Sequence, residues 1–252
     1  MDAIGSVLAA TDFSAAAERA ARRAAHLARE LGARFELLHV SRDAASVPEA
    51  ERALAEVAAL LHPQLARVDV GSPEPVILEA AKGHDLLVLG NAPAASLREA
   101  FLGSTAERLL LRAERPMLVV KREPAAAYRR VLVPSEFAPP ARRALELALR
   151  VAPGARITLL HASEEERSPE AEARTLAWLS SLDEGLAGAA AVEGAVRFAK
   201  PRQAIAEMVE SLGADLVVMG KQGRSQAERV LGSVTRHVLS AIDCDVLVAP
   251  LS

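Results

Sequence analysis

Residues 220–233, GKQGRSQAERVLGS, follow the apolar run ADLVVM at 214–219. An apolar run, a glycine-punctuated loop and a Gly-Ser ahead of VTRHVL read as strand, loop and helix start. Such a loop is either a backbone cradle for phosphate or a plain turn into a helix. The arrangement stands in the chain a second time. GNAPAASLREAFLGS, 90–104, follows HDLLVL at 84–89 and closes on the same Gly-Ser.

Working outward, the whole chain is written twice. SVLAATDFS (6–14) returns as RVLVPSEFA (130–138), FELLHV (35–40) as ITLLHA (157–162), HDLLVLG (84–90) as ADLVVMG (214–220), and PMLVVK (116–121) as DVLVAP (245–250). The offset, roughly 122–130 residues, is far above the period of a solenoid and fits a duplicated domain. The pattern predicts domains at 1–123 and 128–252, joined by the Pro/Ala segment REPAAAYRR (122–130) as a short linker.

Within each half, short apolar runs alternate with segments of helical period. After TDFS, Ala17, Ala20, Ala24, Leu27 and Leu31 lie three or four apart; Ser14 suits the N-cap and Gly32 the left-handed position after the helix. Pro139 and Pro140 precede RRALELALRV, as expected near a helix start. LLVLG and LVVMG are apolar throughout, which suits strands covered on both faces. Alternating strands and helices predict an α/β fold: two tandem doubly wound parallel-sheet domains, Rossmann-like, with five strands each. The third strands are expected near ARVDV (66–70) and AVRFA (195–199). The last strand of each half is expected at a sheet edge, where Leu118, Val119 and Val120 invite pairing. The matching strand around Val246–Val248 is the simplest cover. That predicts an intramolecular pseudo-dimer, with a homodimer as a further arrangement.

Composition narrows the function. The 252 residues are 51% apolar and 25% charged, with a net charge of −3 and 3% aromatics. A basic face and stacking aromatics, the usual equipment for nucleic acid, are missing, so no nucleic-acid partner is expected. No apolar run has membrane-span length and MDAIGSVLAATDF has no basic signal-type start, so the expectation is a cytoplasmic protein without a membrane partner. Cys244 is the single cysteine and reads as a buried bystander. No G-x-x-x-x-G-K-[ST], strand-borne G-x-G-x-x-G or G-x-S-x-G occurs, which excludes the Walker ATPase, dinucleotide dehydrogenase and nucleophile-elbow readings.

In open α/β sheets, ligands bind beyond the carboxyl ends of the strands, where strand order reverses. Thr11, Asp12, Val40 and the Gly90 loop occupy those positions in the first half; Ser135, Glu136, Ala162 and the Gly220 loop do so in the second. Taken together, VLAATDFS, the strand–loop pairs and a G-x-x-G loop ending in Gly-Ser about nine residues later resemble the universal stress proteins, tandem type, over nearly the whole chain. The resemblance implies a site for ATP or another adenine nucleotide, with or without Mg. The first-strand acid and second-strand backbone would hold adenosine; the glycine loop and Gly-Ser helix start would hold phosphates. Carried onto the second half, it implies Pro134, Ser135, Glu136, Ala162, Met219, Gly220, Gly223, Arg224, Gly232, Ser233 and Val234. In the first half it implies Ala10, Thr11, Asp12, Val40, Gly90, Gly103, Ser104 and Thr105.

The copies differ in ways chemistry can weigh. Pro93 stands where the family has its second glycine, which removes an N–H and fixes φ. Ser104 and Glu107 form an S-x-x-E capping box, which would set a carboxylate beside a phosphate. The second loop keeps Gly220, Gly223, Gly232 and Ser233, with Lys221, Arg224, Arg229 and Arg236 against Glu228. Against it, Glu136 replaces the aspartate and the spacing from Gly223 to Gly232 is one residue short. The second half therefore reads as the better phosphate site, the first as the better adenosine end. Asp12 reads equally as a helix-capping residue, in competition with Ser14. His39 and His161, repeated at the second strand's end, read as hydrogen-bonded structural histidines, no metal cluster standing near them in sequence.

The leading expectation is a nucleotide-binding stress-response regulator with little or no catalysis. The alternatives are an ATP-cleaving enzyme of the adenine-nucleotide α-hydrolase type of fold, and a nucleotide-free interaction module.

Overall fold

The computed structural model describes residues 3–91, 105–124, 126–135, 139–164, 168–183, 191–221 and 231–250. Pro93, Gly103, Ser104, Glu136, Gly223 and Arg224 lie outside the described residues. Two compact units divide the chain at 127/128.

The first unit runs β1 (Ser6–Thr11), α1 (Ala15–Leu31), β2 (Arg34–Ser41), α2 (Val47–Leu61), β3 (Leu65–Val70), α3 (Pro73–Ala81), β4 (Leu86–Gly90), α4 (Thr105–Arg112) and β5 (Met117–Val120). The second runs β6 (Arg130–Pro134), α5 (Pro139–Val151), β7 (Arg156–Ser163), α6 (Pro169–Asp183), β8 (Ala191–Phe198), α7 (Pro201–Leu212), β9 (Leu216–Gly220), α8 (Ser233–Ala241) and β10 (Asp245–Ala249).

Each unit is a doubly wound, five-stranded parallel sheet. The first is ordered β3-β2-β1-β4-β5 and the second β8-β7-β6-β9-β10. The register repeats residue for residue. Val7 faces Phe35 and Leu86; its copy Val131 faces Ile157 and Leu216. In both units the chain runs outward through three strands, returns, and continues on the other side of the first. The crevice at the carboxyl ends of β1 and β4, or of β6 and β9, is the switch point.

β1 is buried at all six positions and β5 and β10 at every position, as apolar strands covered on both faces require. β3 is half-buried through its middle and exposed at both ends, with no fully buried position, which accounts for its weak signal in sequence. β8 begins at Ala191, ahead of the AVRFA run, because Glu193 and Gly194 continue the parallel pairing with β7.

α1 shows why helix and sheet approach so closely. Its buried face is mostly alanine: Ala17, Ala20, Ala21, Ala24 and Ala28. The Ser14 side chain accepts the Ala17 amide at 3.2 Å, and Gly32 closes the helix at φ 66°. The small face lets the first turn of α1 sit on the end of β4.

The linker segment is tied down more firmly than its composition suggests. Arg22 reaches Glu123 at 3.0 Å, and Arg23 Nη1 donates to the Ala126 carbonyl at 2.7 Å. Tyr128 is buried, and its hydroxyl donates to Asp245 Oδ2 at 2.6 Å. A tyrosine read as linker is therefore part of the second unit's core. No described helix is long and apolar enough to cross a membrane.

Candidate functional site

Each switch point opens into a cavity. In the first unit the cavity is about 570 Å³, and its walls include Ala10, Thr11, Asp12, Val40, Gly90 and Thr105. In the second it is about 190 Å³; Pro134, Ser135, Ala162 and Met219 line one side. Gly220, Gly232, Ser233 and Val234 line the other. Every described residue that the resemblance carries onto this chain as nucleotide-binding thus lines the cavity of its own unit.

Sequence reading missed the walls given by the third crossover. Pro73 and Ile77 of α3 line the first cavity; Pro201 and Ile205 of α7 line the second. The signal was present as a proline opening the helix after each third strand, on the same sheet end as the other loops. Arg42, Asp43 and Ser46, in the loop after β2, were missed as well. The Asp43 carboxyl is held below the usual carboxylate range by the Ser46 backbone amide and then its hydroxyl, at 2.9 and 3.0 Å.

Ser14, not Asp12, takes the cap of α1, and Asp12 makes a turn bond beside it. Oδ1 accepts the Ser14 amide at 3.0 Å, a local turn bond ahead of α1, while the exposed side chain lines the cavity. Beside it Phe13 has φ 62°, a left-handed conformation uncommon outside glycine, and stacks on His39 with centroids 4.4 Å apart.

His39 and His161 have the structural role read from the sequence. Nδ1 of His39 lies 2.8 Å from the Thr11 carbonyl, and Nδ1 of His161 lies 3.0 Å from that of Ser135. A carbonyl only accepts, so Nδ1 carries the hydrogen in both, tying the ends of neighbouring strands together. Among the described residues no group of three or more His, Cys, Asp or Glu side chains could hold a metal ion.

Two readings of the glycine loops change. In sequence the loop glycines Gly90 and Gly220 read as part of a phosphate cradle or turn; neither has a positive φ, so a left-handed turn does not call for them. A Cβ on Gly90 would lie 2.3 Å from the Ala16 carbonyl oxygen, and one on Gly220 would lie 2.5 Å from that of Pro140. These first glycines are required by the helix lying across the strand end, before any ligand is considered. The second change concerns Glu107. It is only 5% exposed and does not line the cavity, so its carboxylate is not set where a ligand would meet it. Similarly, Lys221 is buried and Arg236 half-buried, and the walls of the second cavity include no charged side chain among the described residues.

The helix start at the second cavity remains open. α8 is preceded by Gly232, which has no side chain to cap it, and no side-chain cap bond is made. The first intrahelical bond runs from the Arg236 amide to the Gly232 carbonyl, 3.0 Å. The amides of Ser233, Val234 and Thr235 come before it, on residues lining the cavity.

Sequence and fold comparisons decide the family. The model of the Universal stress protein family matches residues 4–121 and again 127–250. The chain belongs to the universal stress protein family. A curated relative, universal stress protein Sll1388 of Synechocystis, is 33% identical over 86 residues, 33% of this chain. The match spans 56% of that protein's length. Among solved structures, a universal stress protein from Archaeoglobus fulgidus DSM 4304 superimposes with a TM-score of 0.75 at 22% identity, covering 97% of this chain and 96% of that one. Protein PA1789 from Pseudomonas aeruginosa PAO1 gives 0.69 at 20% identity, covering 98% and 93%. These two likenesses concern the tandem α/β fold.

Proposed function

We propose that this universal stress protein is a cytoplasmic regulator that binds ATP or another adenine nucleotide in the cavity of its first unit, with little or no catalysis. The observation that carries the reading is the 570 Å³ cavity at the β1/β4 switch point, with Asp12, Val40, Gly90 and Thr105 in its walls. That volume lies within the roughly 300–1,000 Å³ of pockets for ligands of this size.

In this reading the base lies against the apolar wall of Leu38, Val40 and Ile77, and the ribose hydroxyls donate to Asp12 and Asp43. The carboxylates are acceptors only, which suits hydroxyl and amino donors and disfavours phosphate at that end. The phosphates lie at the opposite end, toward Thr105 at the start of α4. A helix dipole contributes about 0.3–1 kcal/mol to an exposed anion, whereas micromolar affinity needs about 8 kcal/mol. Burial of the base and hydrogen bonds along the ribose must supply most of the difference.

Mass spectrometry of gently purified protein is expected to find an adenine nucleotide, and calorimetric titration to give one strong ATP site. Protein that purifies empty and gives no heat with ATP would end this reading. ATP turnover with Mg²⁺ above background would replace the regulator by the hydrolase alternative.

A further inference from the structure

β3 ends the first unit's sheet order, and its outer side meets no described strand. Gly71, just past the strand, donates its amide to the Ser41 carbonyl of β2 at 2.8 Å. Main-chain groups alternate sides along a strand, so Arg67 and Asp69 turn theirs toward β2 as well. Those of Ala66, Val68 and Val70 turn outward. Such an edge is a template for another strand unless something blunts it.

The surroundings of the edge are apolar. Of the five large hydrophobic residues exposed among the described ones, three stand here: Leu60 at 76%, Val70 at 52% and Leu65 at 48%. α2, which packs on β3, buries only Ala50 and Leu54 of its fifteen residues, while Val57 and Leu61 are half-buried. A helix with so few buried positions still has apolar surface to cover.

Charge on an edge strand ordinarily keeps a second strand away. Here the order of the signs does the opposite. Arg67 Nε donates to Glu36 Oε1 at 2.7 Å, and the same arginine pairs with Asp69 two residues along its own strand. When a copy of β3 is laid antiparallel about Val68, Arg67 falls opposite the partner subunit's Asp69, and Asp69 opposite the partner subunit's Arg67. Val68 then exchanges main-chain bonds with its own copy, and Ala66 with the partner subunit's Val70. These are the residues whose groups turn outward. Side chains facing one another across such a pair have Cβ atoms about 4.5–5.5 Å apart, and opposite charges there attract. Moving the axis by one residue sets Arg67 or Asp69 against its own copy and presents main-chain groups already used by β2. Charge and hydrogen bonding therefore select the same register. The two-fold axis also keeps both α2 helices on one face of the joined sheet, side by side, where Leu60 comes under cover.

We propose that the outer edge of β3 is a self-association surface, through which two copies of this chain join antiparallel about Val68 as a dimer. The contact lies outside both cavities and stands whether or not the first of them takes ATP.

Sedimentation equilibrium of the full-length protein, without nucleotide, is expected to show a reversible monomer–dimer equilibrium in the micromolar range that weakens with salt. Hydrogen exchange read by mass spectrometry is expected to slow in peptides spanning 65–70 as protein concentration rises through that range. Val68→Pro removes an outward N–H at a place where edge strands accept proline, and is expected to abolish association while circular dichroism stays unchanged. Asp69→Arg sets like charges opposite each other twice and is expected to raise the dissociation constant about tenfold, which keeps the test open if Val68→Pro fails to fold. An equimolar mixture of the Asp69→Arg and Arg67→Asp proteins is expected to recover the association that each lacks alone. A protein that stays monomeric throughout overturns the proposal, as does exchange at 65–70 that ignores concentration. A dimer unaffected by either Val68→Pro or Asp69→Arg places the contact elsewhere and also overturns it. Oligomers that keep growing with concentration would join β3 to β8 of the next copy and refute the two-fold contact.

Discussion

The two units share a sheet order, a strand register, a histidine tying the second strand's end to the first, and a glycine under the first turn of a helix. Their cavities share little. One is about 570 Å³ with Asp12, Asp43 and Arg42 in its walls; the other is about 190 Å³, with no charged side chain among the described residues of its walls. The corresponding hydroxyls show the divergence at one atom. Thr11 Oγ1 accepts the Phe13 amide at 3.0 Å, so the first strand's end satisfies its own turn, whereas Ser135 Oγ has no partner among the described residues. What repeats between the copies is what packs. What differs is what a ligand would touch.

The most damaging way to break the comparison is to attack its shared part. Gly90→Ala and Gly220→Ala each drive a Cβ to within 2.3–2.6 Å of main-chain or proline atoms. Overpacking of that kind costs about 1–3 kcal/mol. Both substitutions are expected to lower the unfolding midpoint of their own unit in a denaturant melt, whether or not nucleotide or phosphate is present. If either is neutral, the glycine serves the loop and not the helix contact. Gly32→Ala provides a control of different origin. No atom lies within 4 Å of its added Cβ, so its cost of about 1 kcal/mol comes from the left-handed backbone alone.

The glycines also show what a sequence gives and withholds. The doubly wound parallel sheet, five strands per unit and the α1 caps were legible, because buried parallel strands read as continuous apolar runs and Ser14 and Gly32 flank a helical period. The residues at the strand ends were legible too, since topology puts all such ends on one side. The reason for Gly90 and Gly220 was not, because it rests on Ala16 and Pro140, tens of residues away in sequence. Glu107 was misjudged for the same reason. An S-x-x-E spacing fixes its place on the helix, but whether that face meets solvent, ligand or core depends on what packs there. Cavity size was wholly illegible. Arg224 and Gly223 favour phosphate by type, yet the volume available for a nucleoside is set by walls such as Leu160, Pro201 and Ile205.

The next effect in size separates the cavities from each other. Asp12→Ala is expected to weaken ATP about tenfold, near 1.4 kcal/mol, by removing a charged acceptor from the first cavity. Because its Oδ1 also accepts the Ser14 amide, the variant's stability must be measured alongside. Ser135→Ala, at the copied strand end, is expected to leave ATP affinity unchanged in the same calorimetric titration. Equal losses from both substitutions would mean that the units share one ligand, and the contrast between them would collapse.

The last pair of effects, down to the smallest, concerns how each unit holds its end of the linker. On the second unit's side, Tyr128 donates to Asp245, both buried, at 2.6 Å. Tyr128→Phe keeps the ring and removes the donor, so the expected cost is about 1–2 kcal/mol, that of weakening a buried hydrogen bond to a carboxyl group. On the first unit's side, Arg22 pairs with Glu18 at 2.7 Å and with Glu123 at 3.0 Å, but the three side chains are 36%, 51% and 63% exposed. Exposed pairs contribute little, because water screens the charges and ordering long side chains offsets the attraction. Arg22→Ala is expected to cost less than about 0.5 kcal/mol, and that remainder is expected to vanish at high salt. Chemical denaturation of both variants at low and high salt separates the cases. The Tyr128→Phe cost should not respond to salt, since the pair is removed from solvent, whereas the Arg22→Ala cost should. A salt-insensitive Arg22→Ala cost above 1 kcal/mol would place the arginine's stem, not its charge, among the groups that hold the first unit together.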